Sequence, residues 1–370
     1  MAQDNEGKAL DRRDFLVGSA SLALVVGLAG GCSDDSGIVA DAAPDGSAGD
    51  FKGDLPREAA AVCSDTPQPL PAVSGSSRVV EVVDPASVST SGYDGPRVKA
   101  MLLAGILKLA DQTDIKQAWK QLIPTFSASM RIGIKVNCLN VNLYNSSDVL
   151  LPLIETLVND LGADSTKIWV WDRRTDELTR SKMTETALGV KVAGTVASTT
   201  NPTGPGYESQ ALCVIDRETH LSRILTTETD VTINLALLKT HNVSGITGAL
   251  KNVYGCVDNP GSFHDQFNTY MPALYRLDAM RKPFVLHITE GLKAVTKGDT
   301  TDYPDAMPGR LLFATDPLAL DTHSLKLVNT LRTQNPKIPA LPAEVVKWID
   351  EAARLHIGTT SVDEQIVTMP

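Results

Sequence analysis

Apolar and polar residues alternate along the chain in blocks that predict strands separated by helices. Short runs rich in valine, isoleucine and leucine predict strands at 78–84, 131–137, 167–172, 230–238, 283–291 and 310–316. Stretches with apolar residues three or four apart predict helices at 96–110, 114–123, 147–162, 176–183, 265–280, 317–331 and 342–358. Buried strands with helices between them favour an α/β fold. We therefore expect a largely parallel sheet with helices on both faces, built as one body or as two merged lobes.

The first 75 residues do not follow this pattern. Arg12 and Arg13 precede a short apolar run at 15–29, which resembles a twin-arginine (Tat) export signal. The letters LAGGC that end at Cys32 resemble a lipoprotein cleavage site, and an ordinary export signal cut after Ala29 is the alternative. The next residues are acidic and small, which predicts a disordered tether. We expect a signal at 1–31, a tether at 32–75, and a folded domain at 76–370.

The composition narrows the classes of partner. The chain carries 34 Lys and Arg against 44 Asp and Glu, a net charge of −10, which disfavours nucleic acid as a partner. Besides Cys32 there are four cysteines, Cys63, Cys138, Cys213 and Cys256, and none forms a C-x-x-C pair. No iron–sulfur cluster motif is therefore encoded, and three disulfide pairings stay open.

The largest group of candidate site residues lies at the end of the strand at 230–238 and just after it, in the letters INLALLKTHNVSGITGALKNVYGC of residues 233–256. Lys239 and His241 lie two apart, so a continuing strand points both to one face. Ser244 is a candidate cap for a helix at about 246–254, whose first turn contains Gly245 and Gly248. Exposed amides at that helix start, together with Lys251, would attract an anion. The alternative is that the glycines permit close helix packing and the lysines extend to solvent.

Other strand ends supply further candidates. Lys135 and Asn137 share one face at the end of the strand at 131–137. His241 and His264 are candidate metal ligands, because neutral imidazole binds transition metals well. Glu290 ends a strand, and Asp321 lies among leucines, where a carboxylate needs a lysine, histidine or metal partner.

Taken in order, these segments resemble the domain of unknown function 362 family. The resemblance rests on five segments: Ile134–Asn137, Asp230–Gly255, His264, Glu290 with Gly291, and Ala314–Asp321. Many relatives carry or neighbour ferredoxin-like domains and look Tat-exported, which implies redox or cofactor chemistry. A more distant likeness points to the lactate racemase group, which uses a nickel cofactor. This chain departs from the family pattern in lacking cluster-binding cysteines, in having Glu290 where aspartate is commoner, and in its segment at 297–309.

We therefore expect an exported enzyme that depends on a metal or other cofactor and acts on a small anionic substrate. The predicted catalytic residues are His241, His264 and Lys239. The predicted anion-binding residues are Lys135, Asn137, Gly245, Thr247, Gly248, Lys251 and Asn252, and the predicted ligands of a divalent or transition metal are His241, His264, Glu290 and Asp321. The expected partners are the Tat machinery, the membrane through a lipid on Cys32 at the periplasmic face of the cell envelope, and a ferredoxin-like protein. The alternatives are a non-enzymatic lipoprotein that binds a ligand or a redox partner, and a structural module without a site.

Overall fold

A mixed β-sheet forms the centre of the protein in the computed structural model, which describes residues 63–334 and 337–370. In chain order the strands are β1 Ser77–Val83, β2 Val88–Ser89, β3 Gly92–Tyr93, β4 Ile132–Lys135, β5 Ile168–Arg174, β6 Lys191–Val196, β7 Leu212–Val214, β8 Arg217–Thr219, β9 Val231–His241, β10 Gly245–Thr247, β11 Phe284–Val295, β12 Arg310–Ala314 and β13 Val362–Thr368. The α-helices are α1 Gly95–Ala110, α2 Ile115–Leu122, α3 Ser147–Glu155, α4 Thr175–Arg180, α5 Glu185–Leu188, α6 Ala249–Asn252, α7 Phe267–Arg276, α8 Asp278–Arg281, α9 Pro317–Thr333 and α10 Trp348–Arg354.

The sheet is largely parallel, as predicted. Its strand order is β13-β1-β12-β11-β9-β4-β5-β6, and the short β10 pairs with β9. The run from β11 to β6 is parallel throughout, whereas β12 is antiparallel to both of its neighbours. Two small hairpins, β2 with β3 and β7 with β8, lie outside this sheet.

Helices cover both faces of the sheet, which confirms the predicted fold class. In β12, Leu311 and Phe313 join the core that contains α1, α2 and α3, and Leu312 and Ala314 join the core that contains α6, α7, α9 and α10. This alternation follows from the two-residue period of a strand. One sheet carries both cores, so the described residues do not divide into two lobes. None of the helices within the described ranges is long and apolar enough to cross a membrane.

The C-terminal prediction was wrong in part. The predicted helix at 342–358 is shorter, a 3-10 turn at Ala343–Val346 followed by α10, and the chain ends in β13 rather than in a helix. β13 pairs with β1 at the edge of the sheet. Its mostly polar letters, VDEQIVT, suit an edge strand with one wet face, and Ile366 is exposed there.

The sequence predicts that the folded domain begins at residue 76, but the structure begins it earlier. Cys63 forms a disulfide with Cys213 in β7, so the pairing that the sequence left open is resolved. The amide of Asp65 donates to the carbonyl of Ile215 at 2.6 Å, and the amide of Leu70 donates to the carbonyl of Leu355 at 3.0 Å. The predicted boundary at 75 therefore lies too late. The predicted export signal at Arg12 and Arg13, the lipidation site Cys32 and the rest of residues 1–62 lie outside the described residues.

The disulfide predicts a redox-dependent stability. Replacing Cys63 and Cys213 together with serine should lower the free energy of unfolding by about 2–4 kcal/mol, because the crosslink restricts the unfolded chain. Urea unfolding of the two proteins measures the difference. A reductant should weaken the native protein and leave the double variant unchanged, since the remaining described cysteines, Cys138 and Cys256, are buried thiols. Equal loss in both proteins would contradict the prediction.

Candidate functional site

A cleft opens beyond the carboxyl ends of β4, β5 and β9, the edge where ligands bind in parallel sheets. Its empty volume is about 760 Å³, including the part that is open to solvent. The lining residues are Lys135, Asn137, Leu139, Asp172, Arg173, Arg174, Glu177, His241, Thr247, Lys251, Asn252, Tyr254, Gly255, Pro260, His264 and Thr300. The cleft thus gathers seven of the predicted site residues, Lys135, Asn137, His241, Thr247, Lys251, Asn252 and His264, and leaves out Lys239, Gly245, Gly248, Glu290 and Asp321.

The length of β9 places His241 in the cleft. β4 ends at Lys135, which pairs with Asn234, so the last residues of β9 continue past the neighbouring strand. Lys239 is fully buried and lies outside the lining, where its ammonium donates to Asn137 Oδ1 at 3.0 Å. Burial lowers the pKa of Lys239 to about 8. The structure therefore makes Lys239 a residue that positions Asn137, not one that faces the cleft.

The glycine-rich turn after β9 differs from its prediction. The start of the helix expected at 246–254 is wrong, because residues 245–247 turn back as β10 and pair antiparallel with 239–241. The chain is helical from 249 to 256, as α6 followed by a 3-10 turn at Val253–Cys256. Gly245 has a φ of +73°, a conformation that favours glycine. Helix α6 begins only after Gly248 and has four residues. Neither glycine lines the cleft, so the predicted contact between an anion and the start of this helix is not supported.

Asp321 occupies the start of α6. Its Oδ1 accepts a hydrogen bond from the amide of Ala249 at 2.6 Å, and its Oδ2 accepts one from the amide of Leu250 at 2.9 Å. Burial raises the pKa of Asp321 to about 7, although both amide bonds oppose that rise. The sequence predicted that this carboxylate needs a partner, but the expected lysine, histidine or metal was wrong. The partner is backbone.

Glu290 is also engaged away from the cleft. Its carboxylate accepts hydrogen bonds from the amide of Ser146 and from Asn145 Nδ2, both at 3.0 Å to Oε2. Burial raises the pKa of Glu290 to about 7.

The four predicted metal ligands are therefore not brought together. Across the described ranges, one group of three or more His, Cys, Asp or Glu side chains has the spacing of metal ligands. It consists of Glu81, His323 and Glu364, and none of these lines the cleft. There the carboxylates of Glu81 and Glu364 already pair with Arg310 at 2.7 Å and Lys326 at 2.6 Å. The donor set of the cleft does not fit the predicted metal site, and we derive no step through a metal.

Two imidazoles lie face to face in the cleft. The ring centroids of His241 and His264 are 5.9 Å apart, with an angle of 11° between the rings. His241 Nδ1 accepts a hydrogen bond from the amide of Val243 at 3.0 Å, so the proton of the neutral ring lies on Nε2. Burial, and then the charges of Lys251, His264 and Lys239, lower the pKa of His241 to about 2. His241 is therefore a neutral hydrogen-bond donor at every ordinary pH.

His264 has a different partner. Its Nε2 lies 2.9 Å from Lys251 Nζ, within hydrogen-bond distance. The Lys251 ammonium also lies over the ring of Tyr254, 4.3 Å from the centroid. Lys251 and His264 both line the cleft, so a molecule bound there would meet an amine and an imidazole that are joined by a hydrogen bond.

The sequence analysis missed the residues that end β5. Asp172, Arg173, Arg174 and the following Glu177 all line the cleft. Lys135 Nζ donates to Asp172 Oδ1 at 2.7 Å, so the predicted anion-binding lysine is already paired. Burial, and then the charge of Asp172, raise the pKa of Glu177 to about 7. The signal for these residues was present, because Asp172 is the last residue of the strand predicted at 167–172.

Buried amides connect the floor of the cleft. Asn137 Nδ2 donates to Asn252 Oδ1 at 3.0 Å, and Asn252 Nδ2 donates to Asn234 Oδ1 at 2.7 Å. The backbone amide of Asn137 donates to Asn145 Oδ1 at 2.7 Å. Thr247 also lines the cleft, and its buried hydroxyl has no partner among the described residues.

Comparison with known proteins identifies one family. The model of the family described as Domain of unknown function (DUF362) matches residues 132–326, a range that contains every predicted site residue of the folded domain. No curated protein matches the chain. A protein from Thermotoga maritima with a crystal structure is similar over 65% of this chain at 12% identity, with a TM-score of 0.33. The chain spans 58% of the length of that protein, and a likeness this low carries no argument.

The contact between Asp321 and α6 predicts a coupled pair of substitutions. Gly248→Ala should lower the free energy of unfolding by about 1–3 kcal/mol, because the added methyl would overlap the Asp321 carboxylate. In an Asp321→Ala background the same change should cost less than about 0.5 kcal/mol, since the obstructing group is gone. Urea unfolding of the four proteins gives the coupling. An equal cost of Gly248→Ala in both backgrounds would show that the overlap is absent.

The buried Glu290 predicts a pH-dependent stability. Its folded-state pKa of about 7 lies above the ordinary value of 4.5, so the folded protein holds an extra proton between these pH values. The stabilisation is complete below pH 4.5 and is lost as the pH rises to 7. The stability of the native protein relative to Glu290→Gln should therefore fall by about 3 kcal/mol across that window, at about 1.4 kcal/mol per pH unit. The matched control is Glu155→Gln, which removes an exposed carboxylate from α3. An equal fall for that variant would show that the pH dependence does not come from Glu290.

Proposed function

The chain belongs to the domain of unknown function 362 family, whose model matches more than half of it, and from that premise we propose that its cleft binds a small anionic molecule and exchanges a proton with it. The observation that carries the proposal is the hydrogen bond between Lys251 and His264, 2.9 Å long, inside a cleft of positive charge. The protein is in this proposal an enzyme that acts on a small anionic substrate.

The charge of the cleft favours an anion. Among the described residues, four cationic side chains line it, Lys135, Arg173, Arg174 and Lys251, against the two carboxylates of Asp172 and Glu177. Lys135 pairs with Asp172, and Arg174 pairs with Glu177. The raised pKa of Glu177 reduces its negative charge near neutral pH. The whole chain carries a net charge of −10, so this local excess of positive charge runs against the overall balance. A recessed site of one sign concentrates ligands of the opposite sign.

The two imidazoles have different roles in this proposal. His241 is neutral and carries its proton on Nε2, so it donates a hydrogen bond to a negatively charged or carbonyl oxygen without giving up the proton. His264 and Lys251 share a proton between basic groups, so this pair accepts a proton from the bound molecule or returns one to it. Asn137 and Asn252, fixed by the buried amides and by Lys239, orient the ligand.

The location of the protein is part of the proposal. We propose export through the Tat machinery, followed by anchoring through a lipid on Cys32 at the periplasmic face of the cell envelope. The disulfide between Cys63 and Cys213 supports an oxidising compartment, because such crosslinks are rare in the cytosol. A ferredoxin-like redox partner stays a proposal that follows from the family resemblance.

Anion binding is tested by calorimetry with inorganic phosphate, lactate and pyruvate. Lys251→Gln should weaken binding of the best of these anions at least tenfold, which is a loss of about 1.4 kcal/mol. The matched control is Lys282→Gln, which removes the same charge from an exposed lysine that pairs with Asp278. That control should leave the affinity unchanged. Equal affinities for the native protein and Lys251→Gln would overturn the anion site.

Proton exchange is tested with the same acids in deuterated water. The native protein should exchange the carbon-bound hydrogen next to the carboxylate or carbonyl group of a substrate, as followed by NMR. His264→Gln should retain binding within about threefold and lose at least about a hundredfold in exchange rate, the usual contribution of an acid–base group. Binding without any exchange in the native protein would instead favour the non-enzymatic alternative.

A further inference from the structure

Three exposed apolar residues lie on two loops that each contribute a residue to the cleft lining, and they have no role in the proposed chemistry. Leu139, Val141 and Tyr303 are exposed by 37%, 51% and 75%; together we call them the apolar rim. Single exposed apolar residues are ordinary on protein surfaces, whereas a group beside a binding cleft marks an interaction site.

The rim is built on two loops that hydrogen bonds join. The buried Asn140 donates through Nδ2 to the carbonyl of Thr300 at 2.9 Å and to the carbonyl of Asp302 at 2.8 Å. Asn142 Nδ2 donates to the carbonyl of Thr301 at 3.3 Å. The rim residues are sequence neighbours of these asparagines and of Asp302, so they lie on two loops, 138–142 and 300–303, that these hydrogen bonds hold together.

The rim reaches the cleft at Leu139. Leu139 from the first loop and Thr300 from the second both line it, on the same cavity as Lys135 and Lys251. The site therefore combines a charged interior with an apolar border. A ligand that is only an anion would leave the border in contact with water, whereas a ligand with a hydrocarbon portion would cover it.

We propose that the bound molecule is an amphiphilic anion, in which a carboxylate or phosphate enters the cleft and an attached hydrocarbon chain lies against Leu139, Val141 and Tyr303. This inference rests on the proposed function, because it extends the same site and assigns its substrate class. The ligand is a single-chain molecule taken up one per protein, with the charged group held by the cationic residues of the cleft and the chain held by apolar contact alone.

The test is a series of unbranched carboxylates, acetate, butanoate, hexanoate and octanoate, measured by calorimetry on the full chain. Affinity should rise about threefold for each added methylene while the rim still has surface to cover, because each buried methylene contributes a similar transfer free energy. Octanol, which has the chain without the charge, should bind at least about tenfold more weakly than octanoate, as the loss of a charge contact predicts.

Two double variants test whether the hydrocarbon chain contacts the apolar rim. Val141→Ser combined with Tyr303→Ser should flatten the rise with chain length and leave the affinity for acetate and phosphate unchanged, since neither side chain lines the cleft. Both side chains are exposed, so the fold should tolerate the changes. The matched control is Leu151→Ser combined with Ile366→Ser, two exposed apolar residues on α3 and β13. This control should keep the native chain-length dependence.

The outcomes separate the inference from the proposed function. Binding of acetate and phosphate that depends on Lys251 but shows no rise with chain length would overturn the amphiphile and leave the anion site intact. A rise that the rim variant does not flatten would overturn the rim as the contact. Octanoate affinity that Lys251→Gln leaves unchanged, or no binding by any carboxylate or phosphate, would overturn the proposed function itself. Binding to anionic phospholipid vesicles without binding of free octanoate would overturn the single-chain ligand in favour of a membrane surface.

Discussion

The contact between the Asp321 carboxylate and the first amides of α6 is the interaction on which the cleft depends. A four-residue helix has no stability of its own, since helix nucleation is unfavourable and only longer helices recover that cost. Asp321 supplies both oxygens to amides that lack a partner within the helix. Lys251 and Asn252 lie in the same four residues, so their placement follows from a carboxylate on α9. That helix is itself started by Asp316, whose side chain accepts the amides of Leu318 and Ala319.

The floor of the cleft is polar and nevertheless buried, which requires nearly complete hydrogen bonding. The asparagines at 137, 145, 234 and 252 meet this requirement through one another, through Glu290 and through backbone carbonyls. Such a network has few alternative arrangements, because moving one amide leaves another donor without a partner. A rigid floor would hold the lysine and the imidazoles at constant distances from a bound molecule, as the proposed acid–base chemistry requires.

The sequence predicted the position of the strand at 230–238 well, because a buried parallel strand leaves a clear run of apolar letters, although β9 continues to His241. Ligand sites lie just beyond such strands. His241 reaches the cleft for this reason, and the same reasoning applied to the strand at 167–172 would have found Asp172. The sequence also indicated that a carboxylate among leucines needs a partner. It did not identify that partner, because the amides of Ala249 and Leu250 lie about seventy positions away and any residue type would supply them.

The predictions that were wrong share one physical cause: pairing between segments decides the structure there, and the local sequence does not show it. β10 follows from the pairing of 245–247 with the end of β9, which overrides the local signals for a helix after Ser244. The mostly polar letters of β13 give no local signal for a strand, and its pairing with β1 makes it one. The crosslink from Cys63 to Cys213 joins positions 150 residues apart, and it closes β1 through β6 inside one covalent ring. A protease that cuts once anywhere within that ring therefore leaves two fragments still attached to each other, and the nick becomes visible on a gel only after the sulfurs are reduced.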